Sequence, residues 1–155
     1  MSEKTYSNDE VQLVAFKLGK EEYGVSILHV QEIKRLTDIT RVPYTPGFIK
    51  GVMNLRGSVL PVIDLKNRLG LFEEPYSEDT RIIIVKVDDI SIGMIVDAVT
   101  EVLSIAPEHI EEPEAVVDGN GNNFISGVGN LDNRLIIMLN LNEIIGLTGE
   151  TKWIC

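Results

Sequence analysis

Short apolar runs, rich in β-branched residues, occur along the whole chain. Two of them, residues 11–18 and 81–87, do not alternate strictly between apolar and polar positions, which is typical of strands covered on both faces. Each is followed by a turn-like stretch and then by a second short run containing Gly24 or Gly93. This pattern predicts two hairpins whose second strands contain a bulge or a close backbone approach.

A third hairpin and two short helices follow from local signals. Residues 51–55 and 59–63 flank a turn that contains Gly57, so they are expected to pair. Residues 64–69 and 140–145 each combine an Asx residue, an i, i+4 apolar pair and a closing glycine. Those features predict helices of one to two turns.

The chain repeats itself. A shift of 69 positions places residues 11–33 over residues 80–102, and a shift of 76 places residues 48–71 over residues 124–147. The matched positions include identical phenylalanine, glycine and asparagine residues as well as aliphatic ones, so chance similarity is disfavoured. The repeat also predicts a strand near residue 30, to match the strand-like residues 99–105.

The repeat indicates the architecture. About five strands and one short helix per copy favour a small closed or nearly closed barrel, because closure removes exposed strand edges. We therefore expect a mainly all-β fold, one domain over residues 11–147 with two β-barrel halves side by side. The copies span about residues 11–71 and 80–147, with tails at 1–10 and 148–155. Since each copy is small, the interface between them should be apolar and substantial.

Charge narrows the class of partner. The 155 residues contain 14 Lys plus Arg against 24 Asp plus Glu, a net charge of -10. Such a surface repels nucleic acid and the anionic face of a membrane. No apolar run approaches the roughly 18 residues of a membrane-spanning helix, and the polar start has no signal-peptide segment. These features predict an acidic protein of the cytoplasm.

Catalytic chemistry is poorly represented. The two histidines, His29 and His109, have no cysteine or second histidine at metal-ligand spacing. Ser58 is not part of a nucleophile elbow, and the single cysteine, Cys155, is the last residue. We expect no catalytic residue, metal site or cofactor.

One stretch is chemically distinctive: Asn54-Leu55-Arg56-Gly57, followed by Pro61 and Asp64. An arginine before a turn glycine is held in a fixed place, where it can make a bidentate contact to a partner or across the barrels. A local hydrogen bond within the hairpin is the alternative. Because the second copy has Asp132 at this position, Arg56 is not required by the shared fold.

The sequence resembles the CheW family of bacterial chemotaxis adaptors over about residues 11–147. The family also includes the regulatory domain of the histidine kinase CheA, but no kinase, phosphotransfer or receiver module is attached here. The resemblance implies two SH3-like five-stranded barrels. It is carried by Glu22-Tyr23-Gly24-Val25, Val30-Gln31-Glu32-Ile33, Phe48-Ile49-Lys50-Gly51-Val52, residues 54–65, residues 93–99 and Glu101-Val102-Leu103-Ser104.

By this resemblance the protein is a non-enzymatic adaptor. It would couple the cytoplasmic tip of methyl-accepting chemoreceptors to the regulatory domain of CheA, without binding nucleic acid or inserting into the membrane, and would be recruited to receptor arrays. A related scaffold for a receptor-kinase pathway other than motility is the alternative. The receptor tip, a helical hairpin, would lie in the groove between the barrels, and the barrel ends would meet the kinase domain.

The resemblance also implies functional residues. Glu32 is a weaker candidate for receptor or kinase contact. Gly51 and Val102 have the repeat mates Gly127 and Ile33, which leaves a structural role open for both. The receptor-binding candidates are Val30, Gly51, Arg56 and Val102, and the family motif consists of Asn54, Leu55, Gly57, Pro61 and Asp64.

Overall fold

The computed structural model describes residues 10–112 and 124–146, and most of their regular structure is β-strand. The predicted mainly all-β class is confirmed. The predicted tails lie outside the described residues except for residue 10.

The strands are β1 (Val11–Leu18), β2 (Glu21–Ser26), β3 (Val30–Arg35), β4 (Ile49–Leu55), β5 (Ser58–Asp64), β6 (Arg81–Val87), β7 (Ile90–Val96), β8 (Ala98–Ile105), β9 (Ile110–Glu111), β10 (Ile125–Leu131) and β11 (Arg134–Leu139). The helices are α1 (Leu65–Arg68) and α2 (Leu141–Ile145), with 3-10 turns at Ile27–His29 and Pro107–His109.

The strands form two sheets. Sheet 1 has the order β8-β1-β2-β11-β10-β9, and sheet 2 has the order β3-β6-β7-β5-β4. The sequence pattern led us to expect one barrel per repeat copy, but each sheet takes strands from both copies. The first hairpin of each copy, β1–β2 or β6–β7, joins the remaining strands of the other copy through a parallel pair, β2–β11 or β5–β7. This exchange makes β1 and β6 inner strands of their sheets, and most of their residues are buried.

Both sheets close on themselves. In sheet 2 the chain beyond β3 reaches the opposite edge at Thr40, whose N–H donates to Val52 O (2.9 Å) and whose carbonyl accepts from Val52 N (2.8 Å). In sheet 1 the chain beyond β8 forms β9, where Ile110 and Glu111 pair with β10. β8 and β9 follow one another in the chain and lie at the two edges of sheet 1. Counted as one strand, they reduce the six strands of sheet 1 to the five expected. The predicted pair of barrels is confirmed.

Apolar side chains fill both the barrels and the space between them. Along β6, Ile82 and Ile84 point into the interior of the barrel that sheet 2 forms, whereas Ile83 and Val85 join a central cluster shared by the two sheets. This two-sided burial is why the strand does not alternate between apolar and polar residues. The central cluster also confirms the predicted apolar interface. Its members include Val14, Phe16, Leu18, Val25, Ile63, Leu65, Val87, Ile92, Met94, Ile144 and Ile145.

Gly24 and Gly93 are required by side-chain packing. The β1–β2 and β6–β7 pairs run without a register shift, so neither glycine forms a bulge within its hairpin. A Cβ on Gly24 would lie 3.2 Å from Ile136 Cγ2, and one on Gly93 would lie 2.9 Å from Ile82 Cγ2. The close approach predicted at these glycines therefore involves neighbouring side chains rather than backbone.

The two short helices are confirmed, and both are capped as expected. Asp64 accepts a hydrogen bond from Asn67 N (3.2 Å) before α1, and Asn140 accepts one from Asn142 N (3.1 Å) before α2. Gly146 ends α2 in the left-handed conformation, with φ of 78°. Such caps satisfy backbone groups that a helix end leaves unpaired.

Candidate protein-binding site

The β4–β5 hairpin presents Arg56 at its turn. Arg56 and Gly57 both have positive φ, 52° and 88°, as in the two-residue turns that match strand twist. Asn54 Oδ1 accepts a hydrogen bond from Gly57 N (3.1 Å), which stabilises the turn. The motif residues Asn54 and Gly57 therefore hold the backbone that carries the arginine.

Arg56 pairs with Glu32 across the barrel. Their Nη1 and Oε2 atoms lie 2.7 Å apart. Three strand spacings separate β3 from β5, about 14 Å in a flat sheet, so the pair forms because the sheet curls. The Arg56 side chain stays 74% exposed and that of Glu32 is 24% exposed. The arginine thus combines an internal contact with a surface open to a partner.

Apolar side chains on β3 and β8 lie on the sheet faces that carry the central cluster. Ile33 pairs with Ile83, and Val102 pairs with Val14, so both lie on the sheet faces that enclose the cluster. Val30 packs against the cluster on the same face. Ile33 is 40% exposed and Val102 is 53% exposed, because β3 and β8 are the edge strands of their sheets. We call Val30, Ile33 and Val102 the edge patch.

The arginine–glutamate pair beside the edge patch has a counterpart in the second repeat copy. Glu101, the repeat mate of Glu32, pairs with Arg134 (Nη1 to Oε2, 2.7 Å). Arg134 begins β11, two positions after Asp132, the mate of Arg56. The absence of arginine at position 132 therefore does not make the arginine–glutamate pair specific to the first copy, because Arg134 supplies an equivalent one.

Arg134 makes a second and more extensive ion pair. Its Nε and Nη2 donate to the two carboxylate oxygens of Glu22 at 3.0 and 2.9 Å. These bonds lower the pKa of the Glu22 carboxyl and raise the pKa of the Arg134 guanidinium. Thr100 Oγ1 also donates to Glu22 (3.1 Å). Arg134 is therefore engaged within sheet 1 by two carboxylates, whereas Arg56 contacts one.

Gly51 lies where sheet 2 closes. It has φ of 149°, and a Cβ there would lie 2.1 Å from Thr40 O. Its backbone therefore permits the approach of residue 40 to β4, and any side chain would block it. The structure gives Gly51 a structural role, and its contact with a receptor stays a prediction.

The other motif residues build the barrel. Leu55 packs against the interior of sheet 2, and Pro61 is buried in β5 opposite Val52. Asp64 is buried, caps α1, and accepts a hydrogen bond from Tyr76 Oη (2.7 Å). Burial and this bond raise the pKa of the Tyr76 phenol. These positions maintain the fold around Arg56.

Sequence reasoning did not name Ile33 as a candidate for binding, although the structure places it beside Val30 in the edge patch. Its repeat relation to Val102 was the available signal, because equivalent edge positions share their exposure.

In the described parts of the chain, no group of three His, Cys, Asp or Glu side chains could hold a metal ion. No helix there is long and apolar enough to cross a membrane. Cys155 lies outside the described residues.

Comparison with known proteins matches nearly the whole chain to one family. Residues 12–148 match the family model described as CheW-like domain. The chemotaxis protein CheW of Helicobacter pylori is 39% identical over 144 residues, covering 92% of this chain and 86% of the relative. That of Bacillus subtilis is 35% identical over 134 residues, covering 86% of each chain. The crystal structure of the scaffolding protein TtCheW from Thermoanaerobacter tengcongensis superposes with a TM-score of 0.83 at 40% identity, covering 90% of this chain and 94% of that one.

Proposed function

This chain belongs to the CheW-like domain family and is a non-enzymatic chemotaxis adaptor, and we propose that it joins the cytoplasmic tip of chemoreceptors to the regulatory domain of CheA. In this role it is recruited to receptor arrays at the membrane and allows receptor signals to control kinase activity. The curated relatives are named as chemotaxis proteins. They do not favour the alternative of a scaffold for a pathway other than motility.

The edge patch is the observation that best supports receptor binding. Ile33 and Val102 expose apolar surface beside Ile83 and Val14, their strand partners in the central cluster. The apolar stripe of an amphipathic helix binds to surfaces of this kind, and its burial contributes about 25 cal/mol per Å². We infer that one side of the receptor hairpin covers Val102 and that Val30 and Ile33 contact the other side.

Arg56 and Glu32 supply the polar part of the proposed site. A charge at the rim of an apolar interface sets orientation and excludes wrong partners more than it adds affinity. The exposed Arg56 guanidinium offers further N–H donors to an acidic or carbonyl group of the receptor. Glu32 holds the guanidinium in position through its 2.7 Å contact with it.

The barrel ends are the proposed kinase-binding surfaces. Val59 is 67% exposed and Leu135 is 61% exposed, and the two residues are repeat mates. Each lies next to a hairpin turn, opposite Asn54 or Asn130. Because the CheA regulatory domain resembles this chain, we propose that one such end packs against a related barrel of the kinase.

Reconstitution of kinase activity tests the proposal. CheA autophosphorylation is measured on receptor-bearing membranes with and without this protein, and co-sedimentation with the membranes is measured in parallel. Strong stimulation that requires both receptor and protein is the expected result. Co-sedimentation without stimulation would separate receptor binding from kinase coupling and refute the role in kinase control. Absence of both would refute the proposal as a whole.

A further inference from the structure

The two barrels meet at two places that are related by the repeat, which we call seams, and a buried lysine fills one of them. Lys66 of α1 places its Nζ 3.0 Å from Asp97 Oδ2 and 3.7 Å from Glu74 Oε1. Asp97 Oδ2 also accepts a hydrogen bond from Gly19 N (2.7 Å) in the β1–β2 turn. A buried ammonium is tolerated only when carboxylates or other acceptors surround it. This seam is closed by the chain's own residues.

The repeat-related seam lacks the lysine. Asn142 of α2 stands at the position that corresponds to Lys66, and Leu28 stands at the position that corresponds to Asp97. The carboxylate is found instead on Asp88, the mate of Gly19 in the β6–β7 turn. A cavity of about 430 Å³ is present at this place. The polar residues that line it are Ser26, His29, Asp88, Ser126, Asn140 and Asn142.

The cavity offers hydrogen-bond acceptors and a negative charge, and its lining contains no lysine or arginine. Asp88 is exposed and makes no ion pair with another described residue. His29 Nδ1 lies 3.2 Å from Lys86 O; since a carbonyl only accepts, Nδ1 carries the proton and Nε2 of a neutral ring is an acceptor. Ser126 Oγ donates to Met138 O (3.3 Å) and retains its lone pairs.

We propose that this cavity, the Asp88 pocket, binds a lysine side chain of a partner protein. The incoming ammonium pairs with Asp88 as Lys66 Nζ pairs with Asp97 in the closed seam, and its aliphatic stem packs on Val87 and Leu139, which also line the cavity. The complementary charges of Asp88 and the lysine select this occupant over an acidic or neutral side chain. The lining of the pocket includes no residue of the edge patch, and the proposal does not depend on the proposed function.

Titration with a lysine analogue tests the pocket. Backbone amide shifts of the full chain are followed by NMR while Nα-acetyl-lysine methylamide is added, and the norleucine analogue serves as the uncharged control. We expect saturable shifts around Ser126 and Asn142 and at least fivefold tighter binding of the lysine analogue. Equal affinity for the two analogues, or no saturable shift, would overturn the proposal.

Substitutions locate the charge and the cavity. Asp88→Asn should abolish the preference for lysine, whereas Asp89→Asn, at the next exposed turn position, should preserve it. Asn142→Lys should fill the pocket from within and abolish binding of the analogue, while Asn142→Gln should not. Binding that Asp88→Asn leaves unchanged, or that survives Asn142→Lys in a folded protein, would contradict the assignment. Since Asp88 is exposed, its variant tests the proposal even if Asn142→Lys fails to fold.

Discussion

Arg56 and Glu32 lie on segments that a flat sheet would hold far apart, yet their Nη1 and Oε2 atoms are 2.7 Å apart. The contact joins the tip of the β4–β5 hairpin to the edge strand that carries Ile33. It therefore connects the charged rim of the proposed receptor site to the apolar part of it. Because most of the arginine is exposed, water screens the pair, and exposed ion pairs contribute about 0–1 kcal/mol to stability.

Arg56→Ala is expected to separate function from folding. The variant should lose at most about 1 kcal/mol of the free energy of unfolding, because an exposed pair contributes little. Receptor-dependent stimulation of CheA should fall clearly, because the rim charge is gone. Thermal melting by circular dichroism and the kinase assay measure the two effects. A variant that melts far below the parent would show that Arg56 is structural.

The edge patch should tolerate a charge in the free protein but not in the complex. Val102→Asp and Ile33→Asp are each expected to weaken co-sedimentation with receptor membranes at least tenfold, about 1.4 kcal/mol. Both side chains are substantially exposed, so melting temperatures should change little. Phe72→Asp, at a position that is 82% exposed and outside the proposed sites, is the matched control. Unchanged co-sedimentation of the two edge-patch variants would exclude the patch as a receptor site.

Gly51→Ala should destabilise the protein. The new Cβ would meet Thr40 O at 2.1 Å, and φ of 149° disfavours any side chain. We therefore expect the free energy of unfolding to fall by about 1–3 kcal/mol or more. Gly57→Ala also has positive φ but no atom within 4 Å of the new Cβ, so it should lose less. Urea denaturation compares the two. If Gly51→Ala unfolds like the parent and only receptor binding changes, the structural role is wrong.

Stability should decline in acid partly through Glu22. Hydrogen bonds from Arg134 lower the pKa of this carboxyl below its ordinary value of 4.5. The stabilisation is therefore fully present above that value and is lost as pH falls through the lower pKa of the folded state. Urea denaturation between about pH 7 and pH 3 should show a shallower decline for Glu22→Gln than for the parent. Glu21→Gln, at the neighbouring exposed position, should follow the parent, and equal slopes for all three proteins would refute the assignment.

The sequence was most informative where structure is local. The turn at Gly57 and the capping residues Asp64 and Asn140 act on their own neighbours, so their types are sufficient to predict a hairpin and two helices. Two-sided burial of β1 and β6 was also predictable, because it leaves an unbroken apolar run.

Long-range pairing was less predictable. The exchange of hairpins between copies was missed, because repeat-related strands have similar patterns and fit either partner. The pairing of Arg134 with Glu101 was missed for another reason, since the arginine is offset by two positions from the mate of Arg56. The proposed contact of Ile33 with a receptor rests on its exposure and on its pairing with Ile83 of the central cluster, which only the packed structure shows.

The exchanged hairpins also have a consequence for half-length chains. A chain with one copy alone would leave its first hairpin without the parallel strand that pairs with it here. Two such chains would each supply the missing strand to the other by exchanging hairpins, as in a domain-swapped homodimer. In the present chain the two would-be subunits are tethered, so their association is intramolecular and does not depend on protein concentration. Tethering also frees the two halves to diverge, and Lys66 in one seam and Asn142 in the other are an example of that divergence.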